Sequence, residues 1–268
     1  MERREARIVG HFGEWMQGRL GPAGPIALLT VACPALAVRA VRLGHGPIVL
    51  EQAVPILSEA QAARLLDALS AQTGAFRIEA DMQAGGGAGA STAALLALAA
   101  AASGTQDAAA LARACLAVEG ATDPLMHDAP DTILWSPRRA CILGAMPAPE
   151  RAEIVGGFWG APERTDPADE EFPDIADLVA DWKAAPDLAA QAAIAARSAE
   201  RSTALRGPAD DPTPRLAAEL GALGHVRAHT GSARGLVFAP GTVPATAEDA
   251  LRRAGFGRVL TFATGHAP

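Results

Sequence analysis

The sequence has no tyrosine and a single lysine, Lys183, in 268 residues. A phosphate loop of the lysine-bearing kind is therefore excluded, as is a Schiff-base lysine in the first two-thirds of the chain. Cysteine is also scarce. Cys33, Cys115 and Cys141 are odd in number, widely spaced and without a Cys-x-x-Cys pair, which argues against a disulfide framework or a zinc site. Positive charge is outweighed, 23 Lys+Arg against 30 Asp+Glu, for a net charge of -7. With no basic stripe to meet a phosphate backbone, nucleic acid is not an expected partner. Long apolar runs are missing as well. The most apolar stretch, Ser91 to Ala102, is too short to span a bilayer. The charged opening Met1-Glu2-Arg3-Arg4-Glu5 is not followed by an apolar run of signal-peptide length. A cytoplasmic protein with no membrane partner is the expectation. What is present is an ordinary globular mixture, 50% hydrophobic and 20% charged, on a chain long enough for one large domain or two that share a core.

Along the chain, Ala6 to Leu50 reads as strands, broken by the turn Gly21-Pro22-Ala23-Gly24-Pro25. Ser58 with Gln61 fits a capping box before a helix whose apolar face is Ala62, Leu65, Leu66 and Leu69. Phe76, Ile78, Ala80 and Met82 alternate as a strand. The run Gly85-Gly86-Gly87-Ala88-Gly89 follows, then an alanine-rich helix from Ser91 and a second helix capped by Asp107. Two short strands are expected near Thr132–Trp135 and Arg139–Gly144. Pro147 and Pro149 mark a boundary between residues 1–148 and 149–268. Beyond it the pattern predicts strands at Glu153–Phe158, Val226–His229, Gly235–Ala239 and Arg258–Ala263. Helices are predicted at Asp174–Trp182, Pro186–Leu205, Pro214–Leu223 and Ala245–Ala254. Arg164 to Glu171 reads as an acidic surface loop.

A strand, a glycine run and a helix opening with Ser91-Thr92 together make an anion site. The first helical turn presents unpaired N–H groups and the positive end of the helix dipole, and glycines let backbone approach a phosphate. The bland alternative is a flexible turn with Ser91 as a helix cap. A Rossmann fingerprint can be forced as Gly85-x-Gly87-x-x-Ala90, but the second strand and its acidic end are missing between Ser91 and Val118. Ser91 as a hydrolase nucleophile lacks the second glycine of the nucleophile elbow. His127 with Asp128 and Asp131 lacks a second histidine at ligand spacing. His11, His225 and His229 read as core or loop residues.

Gly87-Ala88-Gly89-Ala90-Ser91-Thr92-Ala93 resembles the phosphate loop of the GHMP small-molecule kinases. Three further segments resemble one branch of that superfamily, the L-threonine kinase of cobalamin synthesis and propanediol utilisation. These are Gly13-Glu14-Trp15-Met16-Gln17-Gly18 with the later Cys33-Pro34, Glu119-Gly120-Ala121-Thr122-Asp123, and Thr230-Gly231-Ser232-Ala233-Arg234-Gly235-Leu236. They occur in the family's order and span nearly the whole chain. Ala90 stands where the family has the first serine of a pair, one residue is inserted between Glu119 and Asp123, and Val9-Gly10-His11-Phe12 lacks the usual Pro or Cys.

The resemblance implies an α+β, two-domain fold: an N-terminal α/β domain of the ribosomal-protein type with a left-handed crossover, and a C-terminal ferredoxin-like domain, with ATP and substrate between them. It implies ATP and Mg²⁺ as cofactors and a small amino acid or other small alcohol as phosphate acceptor. Gly85, Gly86, Gly87 and Gly89, with Ser91 and Thr92, would cradle phosphates. Ser91 and Glu119 would hold Mg²⁺, and Asp123 would receive the hydroxyl proton. Glu14, Gln17, Gly231, Ser232, Arg234 and Gly235 would form the substrate side. An amino-acid acceptor calls for an arginine on its carboxylate. Arg19 and Arg234 lie nearest the motifs, with Arg234 preferred. A protein of this fold that binds a nucleotide or metabolite without transfer, and a kinase for another alcohol such as homoserine, stay open as alternatives.

Overall fold

The architecture is taken from a computed structural model that describes residues 4–104 and 107–266; Met1-Glu2-Arg3 of the charged opening lies outside them. Two long antiparallel strands carry the fold, β1 (Glu5–Arg19) and β2 (Ile26–His45). Around them one mixed sheet runs in the order β10-β7-β9-β8-β1-β2-β4-β3, and β5 adds to β2 and pairs with β6. The other strands are β3 (Val49–Gln52), β4 (Gly74–Ala80), β5 (Ile133–Ser136), β6 (Cys141–Ala145), β7 (Ala152–Phe158), β8 (Gly224–Arg227), β9 (Ala233–Phe238) and β10 (Gly257–Thr264). All named pairs are antiparallel except β3 with β4, which are joined through helix α1 (Glu59–Ala68). The expected capping box is present: the Ser58 side chain accepts from the Gln61 N–H, and the Gln61 side chain accepts from the Ser58 N–H.

The sheet of the first half meets that of the second at one bridge, Glu14 of β1 opposite Arg227 of β8. Behind it lies α2 (Ala90–Ser103), buried on nearly every face. Its alanines let the helix sit close to β1 and β2, and a helix that is apolar all round belongs in a core. The helix α3 (Ala108–Glu119) is capped by Asp107, as the sequence predicts, and stopped by Gly120 at φ 72°. Helices α4 (Ala176–Ala184), α5 (Leu188–Arg206), α6 (Thr213–Leu220) and α7 (Ala247–Arg253) belong to the second half. One hydrophobic core joins the halves. Phe12 of β1 packs edge-on against Phe158 of β7 and Phe262 of β10, and Trp15 meets Trp182 of α4.

The register of β1 decides where its polar residues go. His11 faces Ala32 and Glu14 faces Thr30, so three steps on β1 match two on β2; Met16 then faces Leu29, again one residue in excess. Each excess residue is a β-bulge, which re-aims the side chains that follow. A regular strand would put His11 and Glu14 on opposite faces. The two bulges bring His11, Glu14 and Gln17 to the same side, while Phe12, Trp15 and Met16 go into the core. Among the described residues, no helix is long and apolar enough to cross a membrane.

Candidate active site

A cleft of about 310 Å³ opens between the glycine run, the end of α3 and β1. Of the residues singled out by sequence, Glu14, Gln17, Gly85, Gly87, Gly89, Ser91, Thr92, Glu119 and Asp123 line it. The glycine run is held in place by backbone. His11 N–H donates to the Ala88 carbonyl at 3.2 Å and Gly13 N–H to the Gly87 carbonyl at 3.0 Å. The third glycine-rich segment buttresses the run from the other side, with Ser232 and Ala233 N–H groups both on the Gly86 carbonyl. A Cβ on Gly231 would lie 2.5 Å from the Gly87 nitrogen, and one on Gly89, at φ 72°, would lie 2.6 Å from the His11 ring. These contacts leave no space for a side chain.

The N-terminus of α2 has no side-chain cap, and Ala90, Ser91 and Thr92 all line the cleft. The first intrahelical bond of the turn is from Ala93 N–H to the Gly89 carbonyl. The N–H groups before it have no helical partner, and the positive end of the dipole points with them at the cleft. Ser91 therefore does not cap its helix. Its hydroxyl donates to the Glu119 carboxylate. Asp123 N–H donates to Thr92 Oγ1 at 3.3 Å, and its segment is fixed by Thr122 N–H on the Pro137 carbonyl and Trp135 Nε1 on the Thr122 carbonyl.

Charge is concentrated at the floor. His11 is 3% exposed; its Nε2 lies 3.4 Å from Asp123 Oδ2 and its Nδ1 lies 3.8 Å from Glu14 Oε1. Burial disfavours the imidazolium, but the charge and hydrogen bond of Asp123, with Glu14 behind, raise its pKa to about 9. Glu14 is pushed up to about 7, mainly by burial, with His11 opposing. Burial and then the charge of Asp123 push Glu119 up to about 8, with Arg164 opposing. For both carboxylates burial outweighs the positive charge nearby. Among the described residues no three His, Cys, Asp or Glu side chains form a metal cage. Ser91 and Glu119 offer one hydroxyl and one carboxylate, and Mg²⁺ characteristically binds through one or two protein oxygens and completes its shell with waters and substrate phosphates. The donor set fits that ion.

Several expected residues lie elsewhere. Gly86 acts from behind the loop, where a Cβ would press on Phe158. Arg234 is buried and engaged: its Nε is 2.8 Å from Asp211 Oδ2 and its Nη1 donates to the Gly231 and Ala233 carbonyls. Gly235 packs in the core against Ile154 and Val226. Arg19 pairs with Glu170 and the Gly24 carbonyl. None of Arg19, Gly86, Gly231, Ser232, Arg234 and Gly235 lines the cleft. His11 and His229, read as core or loop residues, are at the cleft instead, and so are Arg138 and Arg164. The Arg164–Glu171 loop is exposed as expected, but its first residues border the cleft, and Pro167 packs on Gly120. The signal for His11 was its place three residues before Glu14, hidden by the assumption of a regular strand.

The sequence matches no protein-family model and no curated protein. Solved structures match over nearly full length. Mevalonate kinase of Methanococcus jannaschii superposes with a TM-score of 0.65 at 10% identity, over 98% of both chains. Phosphomevalonate kinase of Streptococcus pneumoniae gives 0.63 at 11%, over 99% of this chain and 100% of that one. Homoserine kinase of Cytophaga hutchinsonii gives 0.60 at 14%, over 97% and 94%. The fold is the two-domain fold of the GHMP kinases. At such identities the likeness extends to the fold and no further. Within this fold the cleft lies where the glycine run, α2 and the α3 end converge.

Proposed function

We propose that the protein is an ATP-dependent kinase that transfers the γ-phosphoryl group to the hydroxyl of a small molecule. The acceptor in this reading is L-threonine, giving L-threonine O-3-phosphate for the cobalamin side arm in the cytoplasm. Residues 1–148 form the nucleotide half and 149–268 the second half. The observation that carries the reading is one cleft in which an uncapped helix N-terminus, the Ser91–Glu119 pair and Asp123 converge.

Phosphoryl transfer is mainly positioning and charge stabilisation. Gly85, Gly87, Gly89 and the first N–H groups of α2 cradle the phosphates, with Gly86 fixing the loop from behind and Thr92 tying it to Asp123. Ser91 and Glu119 hold Mg²⁺, which when bound neutralises charge on the phosphate oxygens. Arg164, within electrostatic reach of Glu119, supplies the positive charge that the loop lacks in the absence of a lysine. Asp123 accepts the proton of the attacking hydroxyl. His11 keeps Asp123 oriented from the opposite side, so it is a positioning residue. Glu14 and Gln17 face the acceptor, and Gly231 and Ser232 shape the cleft through the loop they brace.

The test is ADP release with Mg-ATP over a panel of alcohols including L-threonine and L-homoserine, beside thermal shift. Mg-ATP should raise the melting temperature, since a ligand specific for the folded state stabilises it. Gly89→Val, checked for native circular dichroism, should abolish that shift. A full shift in the folded variant removes the loop from the site. A shift in the wild type with no turnover of any acceptor leaves a binding protein in place of a kinase. Preference for L-homoserine moves the acceptor and keeps the enzyme class.

A further inference from the structure

Buried polar atoms without a hydrogen-bond partner are rare in folded proteins, and each demands an explanation. In this protein several of them lie at the cleft, and others are scattered through the core. Glu14 Oε2, Gln17 Oε1, both ring nitrogens of His229, and Nε and Nη1 of Arg138 are all buried without a protein partner, and all four residues line the cleft. None belongs to the phosphate cradle. They are also neighbours. The His229 backbone N–H bonds the Glu14 carboxylate, and the Arg138 charge acts on the His229 ring. Burial and the nearby arginines pull His229 down to about 3, so its ring is neutral, with one donor and one acceptor. It stacks on Phe172 with centroids 3.9 Å apart and planes within 10°. Arg138 is hydrogen-bonded only through Nη2, on the Asp166 and Asp169 carbonyls; Asp169, Asp166 and Glu170 act on it electrostatically, but none forms an ion pair with it within salt-bridge distance among the described residues. Glu14, Arg138 and a neutral His229 ring thus line one cleft, each with unused polar atoms.

Resting on the kinase reading above, we propose that this end of the cleft is a receptor for a zwitterion. Arg138 takes the acceptor's carboxylate, Glu14 with Gln17 takes its ammonium group, and His229 lies between them. A buried polar atom left without a partner is costly, whereas a small molecule carrying both an ammonium and a carboxylate group satisfies both sides at once. An uncharged alcohol leaves both costs in place, and a simple acid or amine leaves one. Arg138 is then the residue that sets specificity, in the role that sequence proximity assigned to Arg234. The cleft's two arginines divide the work: Arg164 acts near Glu119 and Arg138 acts near His229.

Calorimetric titration of the full-length protein, with Mg²⁺ and a non-hydrolysable ATP analogue present, tests this. The probes are L-threonine, L-homoserine and L-serine, the L-threonine methyl ester, and 3-hydroxybutyrate. At least one free amino acid should bind, with its ester and its des-amino analogue roughly 10–100-fold weaker, as expected for losing hydrogen bonds to a charged group. Arg138→Gln should erase the preference over the ester and leave affinity for the ATP analogue unchanged. Arg138→Lys should restore part of it, which a fold defect would not. Glu14→Gln should erase only the preference over 3-hydroxybutyrate. Failure of every amino acid to bind overturns the proposal. So does equal binding of acid and ester, or a loss of nucleotide affinity in Arg138→Gln that matches the loss of amino-acid affinity. An amino acid that binds as predicted without ADP release sinks the kinase reading alone. ADP release with uncharged alcohols only sinks the receptor alone.

Discussion

Two clusters of buried charge lie on either side of the Glu14–Arg227 bridge, and they are built to opposite plans. On the C-terminal side, Arg234 is closed by Asp211 and two carbonyls, and Arg227 by the Ala228 carbonyl at 3.0 Å and Thr203 Oγ1 at 2.6 Å. Burial works against the charge of Asp211, but bonds from Thr213 and Arg234 hold its pKa below the ordinary value. On the cleft side, Glu14 and Glu119 sit well above the usual carboxylate range, and polar atoms of Glu14, Gln17, Arg138 and His229 are buried without partners. A cluster that the protein satisfies by itself is architecture. One that it leaves unsatisfied is shaped for something that arrives from solution. The motif around Arg234 and the motif around Glu14 look equally functional on paper, and only the partners tell them apart.

The largest effect that sharpens the contrast is expected at Asp123. Asp123→Asn keeps size and shape, so kcat should fall by about 10²–10⁴-fold while ATP affinity stays nearly intact. A loss of only about tenfold fits a positioning role, because the nucleophile is barely deprotonated in a dissociative transition state. Turnover at the wild-type rate ends the assignment. Glu119→Gln should differ in kind, raising the Mg²⁺ concentration needed for activity and recovering at high Mg²⁺.

Next is Arg234→Ala, on the self-satisfied side. Removing one partner of a buried pair typically costs about 3–5 kcal/mol. The variant should unfold at lower denaturant concentration, yet the fraction that remains folded should keep its KM for both substrates. A rise in KM for the acceptor alone would return Arg234 to the site and blur the comparison.

The smallest effect is a pH dependence. The pKa of His11 is raised from 6.5 to about 9, so the folded state holds this proton more tightly than the unfolded chain does. Its stabilisation is fully present below about pH 6.5 and is lost as pH rises through about 9. The melting-temperature gap between wild type and His11→Asn should therefore narrow from pH 6 to pH 9.5. A gap constant over that range would mean that the imidazole is neutral in the fold and does not face Asp123 as a cation.

Much of this was legible in the chain. Ser58 and Gln61 announced the α1 cap, Asp107 announced that of α3, and the glycine run before Ser91 marked the wall of the cleft, because capping and glycine chemistry act within a few residues. Period-two alternation located β4, and apolar strand-like runs located β7 and β10, to within a residue or two of their ends. The carboxylate receptor was not legible. Arg19 and Arg234 were nearer to motifs than Arg138, but nearness along the chain carries no information about which carbonyl or carboxylate will occupy a guanidinium after folding.

The sequence by itself determined most of the elements and the glycine run before α2, since these follow from local propensity and short-range hydrogen bonding. Only the tertiary structure decided which polar side chains face one another. Two β-bulges turned His11, Glu14 and Gln17 to a single side of β1. The return of β8 and β9 set His229 beside Glu14 and fastened the third glycine segment to Gly86. Whether a buried charge is paired depends on atoms well outside its own local segment, and that is settled when the two halves of the sheet close over a common core.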